Sequence, residues 1–133
     1  MPVSFIDTNV LVYLASGDPA KADRAEAIVA EGGIVSVQVL NELVHVARRK
    51  MGLSWVEVRD LLSLLRGLLS VEPVTIETHE MGLALAERFG FSLFDAMIVA
   101  AALLAGCERL WSEDLQDRLL VDGRLRIANP FRE

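Results

Sequence analysis

Apolar positions follow two rhythms along this chain. Short unbroken clusters of β-branched and aromatic residues alternate with longer stretches where apolar side chains recur every three or four positions. The first cluster, Val3 to Ile6, predicts a buried strand, and a short helix is expected from about Thr8 to Ala15. Asp18 and Pro19 have the character of an N-cap and a first-turn proline, opening a helix that the Gly32-Gly33 pair ends. Ile34 and Val35 form a second short strand. Ser36 caps a helix that runs to about Lys50 and is stopped by Gly52. Ser54 and Glu57 fit a capping box for the next helix, through Leu69. Val71 to Val74 predicts a third strand, weakened by Pro73 in a way that suits an edge or a strand end. A helix to Phe89 ends at Gly90, and another spans about Leu93 to Ala105 before Gly106. Arg109 to Trp111 is a fourth strand and Leu125 to Ala128 a fifth.

Strands separated by helices, with no tight hairpin signal between them, predict a parallel sheet covered on both faces. Ligands of such sheets bind beyond the carboxyl ends of the strands. Four acids fall there. Asp7 directly follows the first strand, and Asp114 comes just after the fourth, behind Ser112 and Glu113. Glu42 lies in the first half of the helix after the second strand, and Asp95 in the first turn of a later helix. Each alone has a plain structural explanation. Asp7 can cap the helix at Thr8, Ser92 and Asp95 resemble a capping box, Glu42 sits at the border of a polar helix face, and Asp114 suits a surface turn. Gathered on one rim from distant stretches, the four are poorly explained by coincidence.

Composition narrows the class. At 133 residues, 53% apolar and 24% charged, the chain is one globular domain without low-complexity segments or solenoid-like repeats. The longest apolar run, Ala96 to Ala105, is about half of what a bilayer span needs. No basic segment precedes an apolar one at the start, so no signal peptide is read and a cytoplasmic location is expected. The lone Cys107 rules out an internal disulfide and a Cys-rich zinc site. A net charge of −6 argues, by itself, against a nucleic-acid partner. Two facts weigh the other way. Eleven of the thirteen basic residues are Arg, suited to bidentate phosphate contacts. Carboxylates that hold metal ions must also be counted together with those ions.

Four carboxylates gathered without counter-ions repel one another, and a divalent metal relieves this. Oxygen ligands with no Cys and few His select Mg²⁺ or Mn²⁺ over zinc. Such a metal activates water and stabilises charge on a phosphoryl oxygen, which points to hydrolysis of a phosphodiester.

The stretches "FIDTNVLVY", "NELVHVARRK", "FSLFDAMIVAAALLAGCERLWSEDLQD" and the closing "RIANPF" resemble a PIN-domain ribonuclease, most of all the VapC-type toxins of bacterial and archaeal toxin–antitoxin pairs. The similarity covers essentially the whole chain, with its elements in family order. It implies an α/β/α sandwich around a central parallel sheet, and a metal-dependent endoribonuclease acting on single-stranded RNA. It places the family's acidic quartet on Asp7, Glu42, Asp95 and Asp114, as catalytic residues and ligands of Mg²⁺ or Mn²⁺. Asn9 and Ser112 match polar positions that orient the acids and the attacking water, and Asp117 falls where relatives carry a further polar or acidic residue. The resemblance also implies a homodimer and a small antitoxin that wraps around it and enters the acidic site.

Other features read as structural. His45 and His79 have no second His or Cys at ligand spacing. Arg48, Arg49 and Lys50 suit a solvated helix end first and an RNA-backbone contact second. Trp55 and the Leu-rich stretch from Leu61 to Leu69 suit core or dimer surface. A haloacid-dehalogenase-type phosphatase needs a second Asp where Asn9 stands, a receiver domain needs a late Lys, and a dinucleotide-binding domain needs a glycine fingerprint. The remaining alternative is a catalytically silent PIN fold serving as an RNA- or protein-binding module.

Overall fold

Ser4–Ile6, buried along its whole length, forms β1, the first strand of a six-stranded sheet in the computed structural model, which describes residues 3–132. The other strands are β2 (Ile34–Ser36), β3 (Ser70–Glu72), β4 (Arg109–Trp111), β5 (Leu120–Val121) and β6 (Leu125–Ala128). They lie in the order β3-β2-β1-β4-β6-β5. Between them run α1 (Thr8–Val12), a 3-10 helix (Tyr13–Ala15), α2 (Pro19–Ala30), α3 (Val37–Arg49), α4 (Trp55–Leu68), α5 (Ile76–Phe89) and α6 (Leu93–Leu104). β1 pairs in parallel with β2 on one side and β4 on the other, and β3 and β6 extend the parallel set outward. The chain is thus an α/β/α sandwich with β1 near its centre.

Phe5, Ile6, Leu110 and Ile127 are fully buried on these strands. α6 is buried from Ala96 to Leu103, which suits a helix that is apolar all round. It packs closely on α5 because Gly82 faces Met97, where a Cβ would lie 2.7 Å from Sδ. Among the described residues no helix is long and apolar enough to cross a membrane.

Three expectations change. The sheet is mixed rather than wholly parallel, because β5 runs antiparallel to β6, with Val121 opposite Leu125. Asp122 and Gly123 turn the chain between them with φ of 53° and 69°, so a hairpin signal was present in the sequence after all. The third strand starts at Ser70 and stops at Glu72, ahead of Pro73, which has no N–H for a ladder. The first helix is α-helical only to Val12 and then tightens into a 3-10 turn.

Gly33 sets the entry to β2. Its φ is +152°, and a Cβ there would stand 2.9 Å from the backbone oxygen of Ser4. Gly33→Ala should therefore cost about 1–3 kcal/mol. A lower denaturant midpoint at unchanged slope checks this.

Candidate active site

The site is built on the carboxyl end of the central strands. The Asp7 N–H donates to the Trp111 carbonyl at 2.9 Å, carrying the β1–β4 pairing one residue past the end of β1. This fixes the Asp7 backbone, and its side chain is then held on three sides. Oδ1 accepts from the Thr8 N–H at 2.7 Å, which is the helix-capping role expected for it. Oδ2 accepts from the Ser112 hydroxyl at 2.8 Å and from Asn9 Nδ2 at 3.1 Å. Asn9 is itself oriented, because its Oδ1 accepts the Glu113 N–H at 2.9 Å. Asp7 is only 4% exposed. Burial pushes its carboxyl up to about 7, against the hydrogen bonds from Ser112 and Thr8 and aided by the charges of Asp95 and Glu42.

Asp7, Glu42, Asp95 and Asp114 all line one open cleft of about 360 Å³. Glu42 projects from α3, where Oε1 accepts from the Thr8 hydroxyl at 3.2 Å and Oε2 from Gln38 Nε2 at 2.9 Å. Gln38 Nε2 also donates to the Phe94 carbonyl at 2.7 Å, tying α3 to the start of α6. Asp95 stands in the first turn of α6. Ser92 caps that helix by accepting the Asp95 N–H at 3.2 Å, but among the described residues no donor reaches the Asp95 carboxylate. The capping box is therefore only half formed, and this carboxylate is left free in the cleft. Asp114 is exposed on the loop after β4.

Glu113, a fifth acid lining the same cleft, is tied off. Its Oε1 accepts from the Tyr13 hydroxyl and its Oε2 from Lys21 Nζ, each at 2.6 Å. These contacts hold its carboxyl below the usual range despite the opposing effect of burial. Asp117 does not line the cleft; its Oδ1 accepts the Asn129 N–H at 2.8 Å and secures the chain beyond β6. Among the described residues no three acidic side chains converge closely enough to grip one ion as they stand.

The PIN domain profile matches residues 4–119. The chain belongs to the PIN-domain family. No curated protein sequence matches it. Solved structures share the fold. A chain of a toxin–antitoxin complex from Klebsiella pneumoniae is 22% identical, with 98% of this chain and 99% of that one covered and a TM-score of 0.74. VapC20 of Mycobacterium tuberculosis, described as a sarcin–ricin loop cleaving toxin, is 21% identical over 84% of this chain and 89% of its own, with a TM-score of 0.67. A chain of the VapBC2 complex of Rickettsia felis, bound to a promoter DNA fragment, is 18% identical over 96% and 98%, at 0.69.

Sequence reasoning overlooked several side chains that shape the cleft of this PIN domain. Thr8 and Gln38 position Glu42, and Tyr13 with Lys21 restrains Glu113. Gln38 was findable, lying one helical turn before Glu42 on the same face. The others meet their partners only across long stretches of sequence.

Proposed function

We propose that this PIN domain is an Mg²⁺- or Mn²⁺-dependent endoribonuclease that cleaves single-stranded RNA as the toxin of a toxin–antitoxin pair. The observation that carries the proposal is the meeting of Asp7, Glu42, Asp95 and Asp114 in one cleft, from four separate segments. The donor set is all hard oxygen, and it includes a buried carboxyl pushed up to about 7 in part by its acidic neighbours. Both features fit a divalent cation, which draws such groups together. The four acids would hold it, and the ion supplies activation of water and charge neutralisation at the phosphoryl group. Asn9 and Ser112 keep the inner acid fixed, each through a hydrogen bond to Oδ2 of Asp7. Asp117 is assigned a structural part rather than a catalytic one.

The likeness to chains of toxin–antitoxin complexes supports an antitoxin partner and a cytoplasmic setting. A homodimer accords with the large apolar side chains left exposed, among them Val56, Leu64, Ile76 and Phe94.

The purified chain should cut single-stranded RNA in Mg²⁺ or Mn²⁺ and stop in EDTA, with activity restored by re-added metal. Cleavage undiminished in excess chelator would remove the mechanism. RNA binding without any cleavage in either metal would identify a silent binding module instead.

A further inference from the structure

Two depressions on the surface share Glu113 and Asp114. One is the acid cleft; the other, of about 470 Å³, continues past Asp114 to Asp117, Arg118 and Arg132. Together they make one trough. Glu113 and Asp114 line both depressions; Lys50 lines only the acid cleft, and Arg118 and Arg132 line only its neighbour.

Among the described residues none of these three side chains donates a hydrogen bond, whereas several other arginines are tied down. Arg24 donates to the Pro130 carbonyl, Arg109 lies over the Trp111 ring, and Arg48 lies over Trp55. Lys50 makes no ion pair among the described residues. Arg118 and Arg132 have side chains 82% and 69% exposed, and each makes only a long ion pair with Asp117 Oδ2, at 3.9 Å, beyond hydrogen-bond reach. The backbone of Arg118 is nevertheless fixed. Its N–H donates to the Ile127 carbonyl at 2.8 Å, and its own carbonyl accepts from Arg126 at 2.6 Å. It is also held at a φ of 71°, a conformation that arginine rarely adopts unless the surroundings impose it. An anchored backbone with an exposed, loosely paired guanidinium suits capture of a phosphate.

We propose that this trough carries the sugar–phosphate backbone of the RNA strand, with Lys50 and the Arg118–Arg132 pair contacting phosphates on opposite sides of the linkage that is cut. The proposal rests on the ribonuclease reading and adds the strand's path to it. It would also account for how a chain of net charge −6 engages a polyanion, since each of the two depressions has a basic side chain in its lining.

The test is the salt dependence of binding to a labelled oligouridylate of about 12 nucleotides, with Ca²⁺ in place of Mg²⁺ and RNA integrity checked on gels. Removing one phosphate-binding cation should make the slope of log affinity against log salt shallower by about 0.7. Arg118→Gln/Arg132→Gln should therefore lower it by about 1.4, and Lys50→Gln by about 0.7. With Mg²⁺, the arginine double variant should raise KM several-fold and leave kcat nearly unchanged. Its melting shift with Mn²⁺ should match the parent. Arg59→Gln/Arg66→Gln, on the exposed side of α4, removes the same charge elsewhere and should leave the slope as it was. An unchanged slope in the trough variants overturns the proposed path even if the parent cleaves RNA normally. An equal change in the α4 control overturns it too, by showing an effect of net charge alone. A parent that neither binds nor cuts single strands overturns the path together with the ribonuclease reading.

Discussion

Asp95→Asn should lower RNA cleavage roughly 100-fold or more, since even outer-shell partners of a metal are worth about 10–100-fold. Asparagine keeps the size of the side chain and removes only its charge. Were this acid a helix cap, the loss would be a dipole effect of about 0.3–1 kcal/mol, with activity intact. The structure weakens that option, because Ser92 does the capping and the Asp95 carboxylate receives no hydrogen bond among the described residues. Removing one of several mutually repelling carboxylates should leave the metal-free protein as stable as before, or more so. The rise in melting temperature on adding Mg²⁺ or Mn²⁺ should shrink, because it scales with metal concentration over the dissociation constant. Melting curves with and without metal, run beside a cleavage assay, distinguish the two roles. A variant that melts lower without metal yet keeps full metal response and full cleavage would make Asp95 a cap.

Metal affinity should climb about tenfold per pH unit up to about pH 7, because an ion entering the cleft must displace the proton on Asp7. The same group shapes stability without metal. Its carboxyl titrates near 3.8 when unfolded and at about 7 when folded, so between those values the folded chain holds a proton that the unfolded chain has lost. Stability contributed by Asp7 is therefore full below about pH 4, falls as pH rises to about 7, and is level above that. The total is on the order of 4 kcal/mol. Asp7→Asn should flatten this fall while abolishing the metal response, although Asn9 Nδ2 then loses one of its acceptors. Chemical denaturation at several pH values reads the first effect and metal titrations the second. A metal-induced melting shift that is constant between about pH 5.5 and about pH 7 would contradict the linkage.

Much of the site was legible because its acids sit where local chemistry is strongly marked. Asp7 closes a β-branched and aromatic strand, and Asp95 follows a serine cap. The capping box of Ser54 and Glu57 and the left-handed Gly90 also stand where the sequence puts them. What escaped was short or remote. β5 has two residues and no period to detect, so its Asp-Gly turn went unused. The restraint of Glu113 by Lys21 and Tyr13 spans 92 and 100 positions, and no local pattern announces such a contact.

The bond from the Asp7 amide to the Trp111 carbonyl has a consequence for how such an enzyme can be controlled. Asp7 extends the pairing of the two central strands, so its backbone is tied to the sheet rather than to a surface loop. A lid or a detachable loop melts locally more readily than backbone paired at the centre of a sheet. Control of the proposed nuclease through this residue would therefore act by covering the cleft rather than by displacing Asp7.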